Sequence, residues 1–529
     1  MKGQKVKATA LFLASLTAAL CAAGCAQQSS AEGIPVSLPD YSASPREFLI
    51  SGGLNTGWIS HWETNEKLYI EEQNLFTEED LRNFADFGNN VLSLGRAAYS
   101  LGLDEEWATS KQKQLGDLAY AQGIKRIYIS DQAFLQHMEK SYKLLDAEEG
   151  IYKTKEELDA FVTSRLQLYI NEEWVYGIDL RDEPSYKETD NIGALSASIR
   201  RCAAALGKPD LRVHVNLHPH KANVAPSLFA EAGTYETARE AYTKYIEDYI
   251  VKMETNQMCV DHYLFRPEGP DWGYYATLQT LRELCTKYDI EMQFYSHSFS
   301  QYKNGRQEFR DIGQAELYHN VNSLVGFGVE TIRLFSYAPW PSGYGGEKNE
   351  FNYDRGYFVD RYGNLNDLWY YGKEIVSQYQ SFANIILNYE YKGGKFFRTE
   401  EKVSMFEVDQ LTTNAIDTLT GTINAWDNSY ELTLVKGLEM SNDMMLLTEL
   451  YDETNDLYLY MVMNPIDPYF DAYGDTTQEV TVDFGTDYEW VAEFDCGQLS
   501  YVKLDGGKYT KSLSAGYATY VIPLKTAIQ

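Results

Sequence analysis

The chain has 529 residues, enough at roughly 100–200 residues per domain for two or three domains with substantial cores. Its 44% hydrophobic content, with 38 Gly and 14 Pro, excludes a disordered, collagenous or low-complexity protein. Lys+Arg number 46 against 77 Asp+Glu, and the resulting charge of −31 repels phosphate backbones, so no nucleic-acid partner is expected.

Residues 1–24 read as an export signal. Lys2, Lys5 and Lys7 precede an apolar run from Ala8 to Ala23 that is too short to favour a spanning helix. The stretch Ala22-Ala23-Gly24-Cys25 resembles a bacterial lipobox, whose cysteine becomes lipid-modified and forms the new N-terminus. That resemblance implies lipidation at Cys25, a membrane partner through the N-terminal lipid, and a bacterial cell-surface or outer-membrane location. An ordinary signal peptide with a chance cysteine is the alternative. Residues 25–45 carry no helical or strand period and are expected to form a flexible tether.

From 46 to 392, short apolar runs alternate with helical patterns, which predicts repeated βα units around a parallel sheet. Eight runs stand out, at 48–55, 90–95, 125–130, 175–183, 211–218, 257–265, 291–299 and 330–338. Eight units over this length predict a (β/α)8 TIM barrel with enlarged loops, with a doubly wound sheet as the alternative. Between the first two runs, Thr77 can cap a helix whose first turn holds Glu78, Glu79 and Asp80 and whose apolar face is Leu81, Phe84 and Phe87. No G-x-G-x-x-G or P-loop follows any run, so no nucleotide cofactor is expected. Residues 393–529 alternate strand patterns with turn residues and are assigned to a C-terminal all-β sandwich, with a hairpin turning near Asn455-Asp456.

Cys202, Cys259, Cys285 and Cys496 form no C-x-x-C pair, so neither a zinc site nor a disulfide framework is expected. Cys259 lies in an apolar run, where a buried free thiol is the simplest reading.

Barrel chemistry belongs at strand C-terminal ends, where Asp182-Glu183-Pro184 closes the fourth run. The stretch Tyr176-Gly177-Ile178-Asp179-Leu180-Arg181-Asp182-Glu183-Pro184-Ser185 resembles the fourth strand of barrel glycoside hydrolases related to β-galactosidases. Similar to the same group are Val215-Asn216-Leu217-His218-Pro219, Val260-Asp261-His262-Tyr263, Phe335-Ser336-Tyr337-Ala338-Pro339-Trp340 and Asp360-Arg361-Tyr362-Gly363-Asn364. The resemblance implies Glu183 as proton donor to a glycosidic oxygen, which needs a carboxyl raised by burial or a neighbouring charge. It implies an oligo- or polysaccharide partner and no cofactor. The tripeptide read by itself is also a helix-starting turn, with Pro184 at its start.

Retaining members of the group carry a nucleophilic Glu at the end of strand seven, whereas this chain reads Gln293-Phe294-Tyr295-Ser296-His297-Ser298. Asp261 is therefore the expected second catalytic carboxylate, activating water in an inverting reaction at a separation of roughly 6.5–9.5 Å. Asp131, ending strand three, is another candidate, and either acid can instead bind sugar hydroxyls or form a structural ion pair. Asp182, Asp131, Asn216, His218, His262, Tyr263, His297, Tyr337 and Trp340 are expected to contact substrate. Tyr337 with Trp340, or Trp58 with Trp62, can offer a sugar platform or simply pack loops. Asp179 and Arg181 share strand parity with Glu183 and are expected to form an internal ion pair. His214, His218, His220, His262 and His297 follow no metal motif, so no metal is expected.

Three function classes follow. Glycoside hydrolysis requires converging carboxylates at the strand ends; a non-catalytic carbohydrate-binding lipoprotein requires only aromatic and polar groups there. A surface assembly protein that binds through its sandwich is a third.

Overall fold

The computed structural model describes residues 37–42, 45–52, 77–94, 107–135, 143–219, 238–303, 306–338, 349–351, 357–360, 363–398, 428–441, 444–469 and 476–525. Within them a strand and a helix alternate eight times. The order is β1 (Leu49–Gly52), α1 (Glu78–Asp86), β2 (Val91–Ser93), α2 (Lys111–Ala121), β3 (Arg126–Ile129), α3 (Lys155–Leu166), β4 (Val175–Asp182) and α4 (Thr189–Ala205). It continues through β5 (Arg212–Leu217), α5 (Ala238–Met253), β6 (Gln257–Asp261), α6 (Gly273–Tyr288), β7 (Glu291–His297), α7 (Gln314–Gly326), β8 (Thr331–Phe335) and α8 (Asp367–Ile386). Every strand lies inside one of the eight apolar runs.

Neighbouring strands are parallel in the order β1-β8-β7-β6-β5-β4-β3-β2. The two ends of that sheet meet at Asn90, whose N–H donates to the Ile50 carbonyl at 3.1 Å and whose side-chain oxygen accepts from Ile50 N at 2.9 Å. This consecutive, nearly closed order makes the fold a (β/α)8 barrel and excludes the doubly wound sheet. Helix α1 begins as its sequence dictates. Thr77 Oγ1 accepts from Asp80 N, and Asp80 Oδ2 accepts from Thr77 N at 2.8 Å.

Strand parity divides the barrel into two environments. Ile127, Ile178, Val213, Val260, Phe294 and Ile332 join the apolar layer beneath the helices, each buried side chain contributing on the order of 2 kcal/mol. The alternate positions build a polar interior. Fully buried Arg333 donates to Gln293 Oε1 at 3.1 Å and lies over the rings of Tyr128 and Tyr295, 5.0 and 5.3 Å from their centroids. Gln293 donates to Gln257, which also accepts from Arg212 and Tyr128. Cys259 shares the parity of Gln257, so its buried thiol belongs to this polar column and not to the apolar layer the run suggested.

The C-terminal region consists of β9 (Glu390–Arg398), β10 (Gly437–Met440), β11 (Met444–Asp452), β12 (Leu457–Met463), β13 (Gln478–Asp483), β14 (Trp490–Asp495), β15 (Gln498–Lys503), β16 (Lys508–Leu513) and β17 (Ala518–Leu524). A six-stranded sheet, β9-β11-β12-β17-β14-β15, faces a three-stranded sheet, β10-β13-β16. Met445, Leu447, Tyr460 and Val462 fill the space between the sheets, while Met444, Leu446, Leu459 and Met461 extend the barrel's core. Burial on both faces explains why β11 and β12 read as nearly unbroken apolar runs. Their hairpin turns at 453–456, with Asp456 at φ 54°.

Two devices join the halves. Arg310 donates to Glu316 at 2.7 Å and to both carboxylate oxygens of Asp467 at 2.6 Å, all three residues buried, with its guanidinium stacked on Phe265 and Tyr469. The second device is a stretch of the region expected to be a tether. Leu38 N donates to Tyr501 Oη at 3.1 Å, and Tyr41 Oη donates to Asp452 at 2.8 Å beside Tyr389. Arg46 and Phe48 then hydrogen-bond to Asn384 and Gln380 of α8. Residues 37–42 are thus a docked strap, because Leu38 and Tyr41 are apolar enough to pack against the main core. The leader and Cys25 lie outside the described residues.

Candidate active site

At the C-terminal end of β4 the register slips. Asp179 lies opposite His214, but Arg181 lies opposite Val215 and Asp182 opposite Asn216. This bulge inverts the parity the sequence implies. Asp179 accepts from Ser93 inside the barrel, whereas Arg181 reaches Glu188, Nε to Oε1 at 3.0 Å. The expected pairing residues Asp179 and Arg181 thus have Ser93 and Glu188 as partners, on the two sides of the bulge. Asp182 turns inward and accepts from Asn216 Nδ2 at 2.9 Å.

Glu183 follows with φ 47°, a left-handed conformation that costs a non-glycine residue about 1 kcal/mol. Its N–H is held by the Asn216 carbonyl at 2.8 Å, and its side chain, 41% exposed, places Oε1 3.3 Å from Nδ1 of His218. Helix capping falls to Ser185, whose N–H and hydroxyl both donate to Glu188. The helix-starting turn is therefore present without enlisting Glu183.

Across the mouth, Asp261 ends β6 with the inward parity of Gln257 and Cys259, and it is 3% exposed. Two residues on, burial and then the charges of Asp261, Glu183 and Asp182 hold the Tyr263 hydroxyl well above the usual phenol range. Deeper, burial pushes the Cys259 thiol up, Arg333 opposes this, and Asp261, Asp179 and Asp182 add to it. Carboxylates at the ends of β4 and β6 thus act on both the buried Cys259 and the half-buried Tyr263. The arrangement provides a half-exposed acid beside an imidazole, a buried second acid, and an amide that orients a third.

Four expected substrate contacts lie elsewhere. Asp131 accepts from Nε and Nη2 of Arg165 at 3.0 Å and from Tyr169, which makes it an ion-paired anchor for α3. His262 has the parity opposite to Asp261; it is fully buried with Nδ1 2.8 Å from Thr277 Oγ1 of α6, behind the barrel wall. Tyr337 packs edge-on to Phe84 and accepts from Trp369 Nε1 at 3.0 Å, a core position between α1 and α8. His297 keeps inward parity but is sealed beneath Tyr263, Phe299 and Phe309, an aromatic cluster at the end of β7. Trp340, Trp58, Trp62 and His220 lie outside the described residues. Among the described residues, no group of three or more His, Cys, Asp or Glu is placed to hold a metal ion.

Sequence reasoning missed the tyrosines of α5. Tyr245 Oη donates to the Pro184 carbonyl at 2.7 Å, Tyr249 Oη to the Ser185 carbonyl at 2.6 Å, and Tyr242 Oη to the His218 carbonyl at 3.1 Å. Their spacing, i, i+3 and i+7, is a readable helical stripe, but nothing local in sequence says which carbonyls it meets.

No protein-family model and no curated sequence matches the chain. Solved structures that align over most of it include a GH27 β-L-arabinopyranosidase from Geobacillus stearothermophilus, with TM-score 0.46 and 11% identity, covering 92% of this chain and 98% of that one. An α-amylase of Anoxybacillus aligns with TM-score 0.44 and 9% identity, over 92% and 99%. A glucosidase from Croceicoccus marinus aligns with TM-score 0.40 and 10% identity, over 91% and 96%. Likenesses this remote leave the chemistry to the residues themselves.

Proposed function

We propose that this barrel is a glycoside hydrolase acting on an oligo- or polysaccharide, with Glu183 as general acid and Asp261 as general base. The observation that carries the reading is the placement of three acids at strand ends of one barrel mouth: Glu183 with Oε1 3.3 Å from His218 Nδ1, Asp182 held by Asn216, and Asp261 closing β6. Glu183 gives its proton to the glycosidic oxygen as the bond from that oxygen to the anomeric carbon breaks. Asp261 takes a proton from the water whose oxygen forms the new bond, so an inverted sugar and an alcohol leave. Asp182, oriented by Asn216, and Tyr263 bind sugar hydroxyls, and His218 exchanges protons with Glu183.

Incubating the protein with alkyl glycosides and a polysaccharide panel tests this. Turnover that falls by about 10²- to 10⁴-fold in Glu183→Gln supports the assignment; turnover unchanged in that variant refutes it.

A second reading is non-catalytic carbohydrate binding. The aromatic cluster of Phe299, Phe309 and Tyr357 at the end of β7 favours it, since the nucleophile of a retaining enzyme would stand there. Glycan binding without turnover across the same panel selects this reading. For location, the leader supports an exported protein anchored through a lipid on Cys25. Incorporation of labelled fatty acid that is lost in Cys25→Ala tests it.

A further inference from the structure

The backbone just past β4 and β5 must satisfy its polar groups without a helix or a ladder to do so. Here it does so through buried phenols. Tyr245 and Tyr249 are fully buried on one face of α5, rings 5.3 Å apart and edge-on, a rigid pair with few rotamers to lose. The Tyr245 hydroxyl donates to the Pro184 carbonyl at 2.7 Å and accepts from His218 N at 3.4 Å, so one oxygen bridges the two strand ends that carry Glu183 and His218. Tyr249 holds the next carbonyl, Ser185, at 2.6 Å. Between the bridge and the Asn216 carbonyl sits the left-handed Glu183.

We propose that Tyr245 and Tyr249 are positioning residues that hold Glu183 in its left-handed backbone conformation and keep its carboxyl on His218. Two hydrogen bonds to consecutive carbonyls offset the conformational cost at Glu183 and fix the direction of its side chain. Without them Glu183 relaxes to an extended backbone and its carboxyl swings away from Nδ1. The consequence for turnover rests on Glu183 being the acid; the geometric claim does not.

The test is the double variant Tyr245→Phe/Tyr249→Phe of the whole protein, with Tyr274→Phe, which loses a buried phenol contact to Ser323 elsewhere, as control. With ¹³C-labelled histidine there are 8 residues to resolve, and His218→Gln assigns the relevant imidazole signal. The clamp predicts that this signal moves to its position in Glu183→Gln, and that the Glu183 amide exchanges at least tenfold faster. Neither change occurs in the control. On any hydrolysed alkyl glycoside or oligosaccharide, whose leaving group needs the proton, kcat falls at least tenfold with KM within about twofold. A His218 signal and an amide exchange rate unchanged in the folded double variant overturn the proposal, whereas a displaced signal with unchanged kcat upholds the clamp and refutes Glu183 as the acid. If the double variant does not fold, Tyr249→Phe, which loses the Ser185 contact but keeps the Tyr245 bridge, is read in the same way. A displaced signal in a protein that hydrolyses nothing upholds the clamp and refutes the hydrolase reading.

Discussion

Oε1 of Glu183 lies 3.3 Å from Nδ1 of His218, and the two residues stand at the ends of adjacent strands. A carboxyl beside an imidazole can be resupplied with a proton after each donation. The need for that proton depends on the leaving group. Glu183→Gln is therefore expected to slow an alkyl glycoside at least tenfold more than a nitrophenyl glycoside, whose leaving group departs without protonation. Equal slowing of both would remove the general-acid role.

Asp131 and Asp261 are both buried acids at strand ends, and the structure separates their roles. Asp131→Asn breaks a two-pronged ion pair with Arg165 and is expected to destabilise the fold by about 3 kcal/mol, read as a lower urea midpoint, with kcat unchanged. Asp261→Asn is expected to cost at least 10²-fold in kcat with a midpoint near that of the wild type. An exchange of these two phenotypes would reverse the assignment.

Arg310 joins Glu316 of α7 to Asp467 after β12. Arg310→Met strands two buried carboxylates and is expected to cost about 3–5 kcal/mol. Differential scanning calorimetry should then show the barrel and sandwich melting separately. A single transition at the wild-type temperature would mean that the apolar contact alone couples them.

His319 of α7 is buried against Tyr275, and burial followed by the nearby Arg310 lowers its pKa to about 3. The folded imidazole stays neutral while the unfolded one takes up a proton below about 6.5. Stability is therefore lost as pH falls through the window from 6.5 towards 3, by about 2 kcal/mol between pH 6.5 and 5. His319→Gln should remove that part of the slope, as measured by urea midpoints at the two pH values. A slope identical to the wild type would assign the loss to other groups.

The barrel was legible because each strand carries an apolar outward face, as in Val213, Val215 and Leu217, which declares itself in any short window. The mouth was legible only in part. Period-two alternation alone separates Asp261 from His262, and the resemblance that selected the whole segment carried no such resolution. The bulge between Asp179 and Arg181 has no sequence signature, so parity counted from Glu183 missed the register shift that separates them. Tyr337 and Asp131 were misplaced for a related reason. Each stands beside a strand end, where the backbone either turns into the mouth or folds back over the helices, and its partners Trp369 and Arg165 come from distant elements. The strap at 37–42 is too short for any periodicity to show.

That strap has a directional consequence. Tyr41 rests on Tyr389, just beyond the C-terminal end of α8, and Arg46 bonds to Asn384 near that same end. Barrel helices run antiparallel to their strands, so these contacts lie at the floor of the barrel, opposite the strand ends that carry Glu183 and Asp261. The described chain therefore begins at the floor of the barrel, at the end away from the acidic mouth.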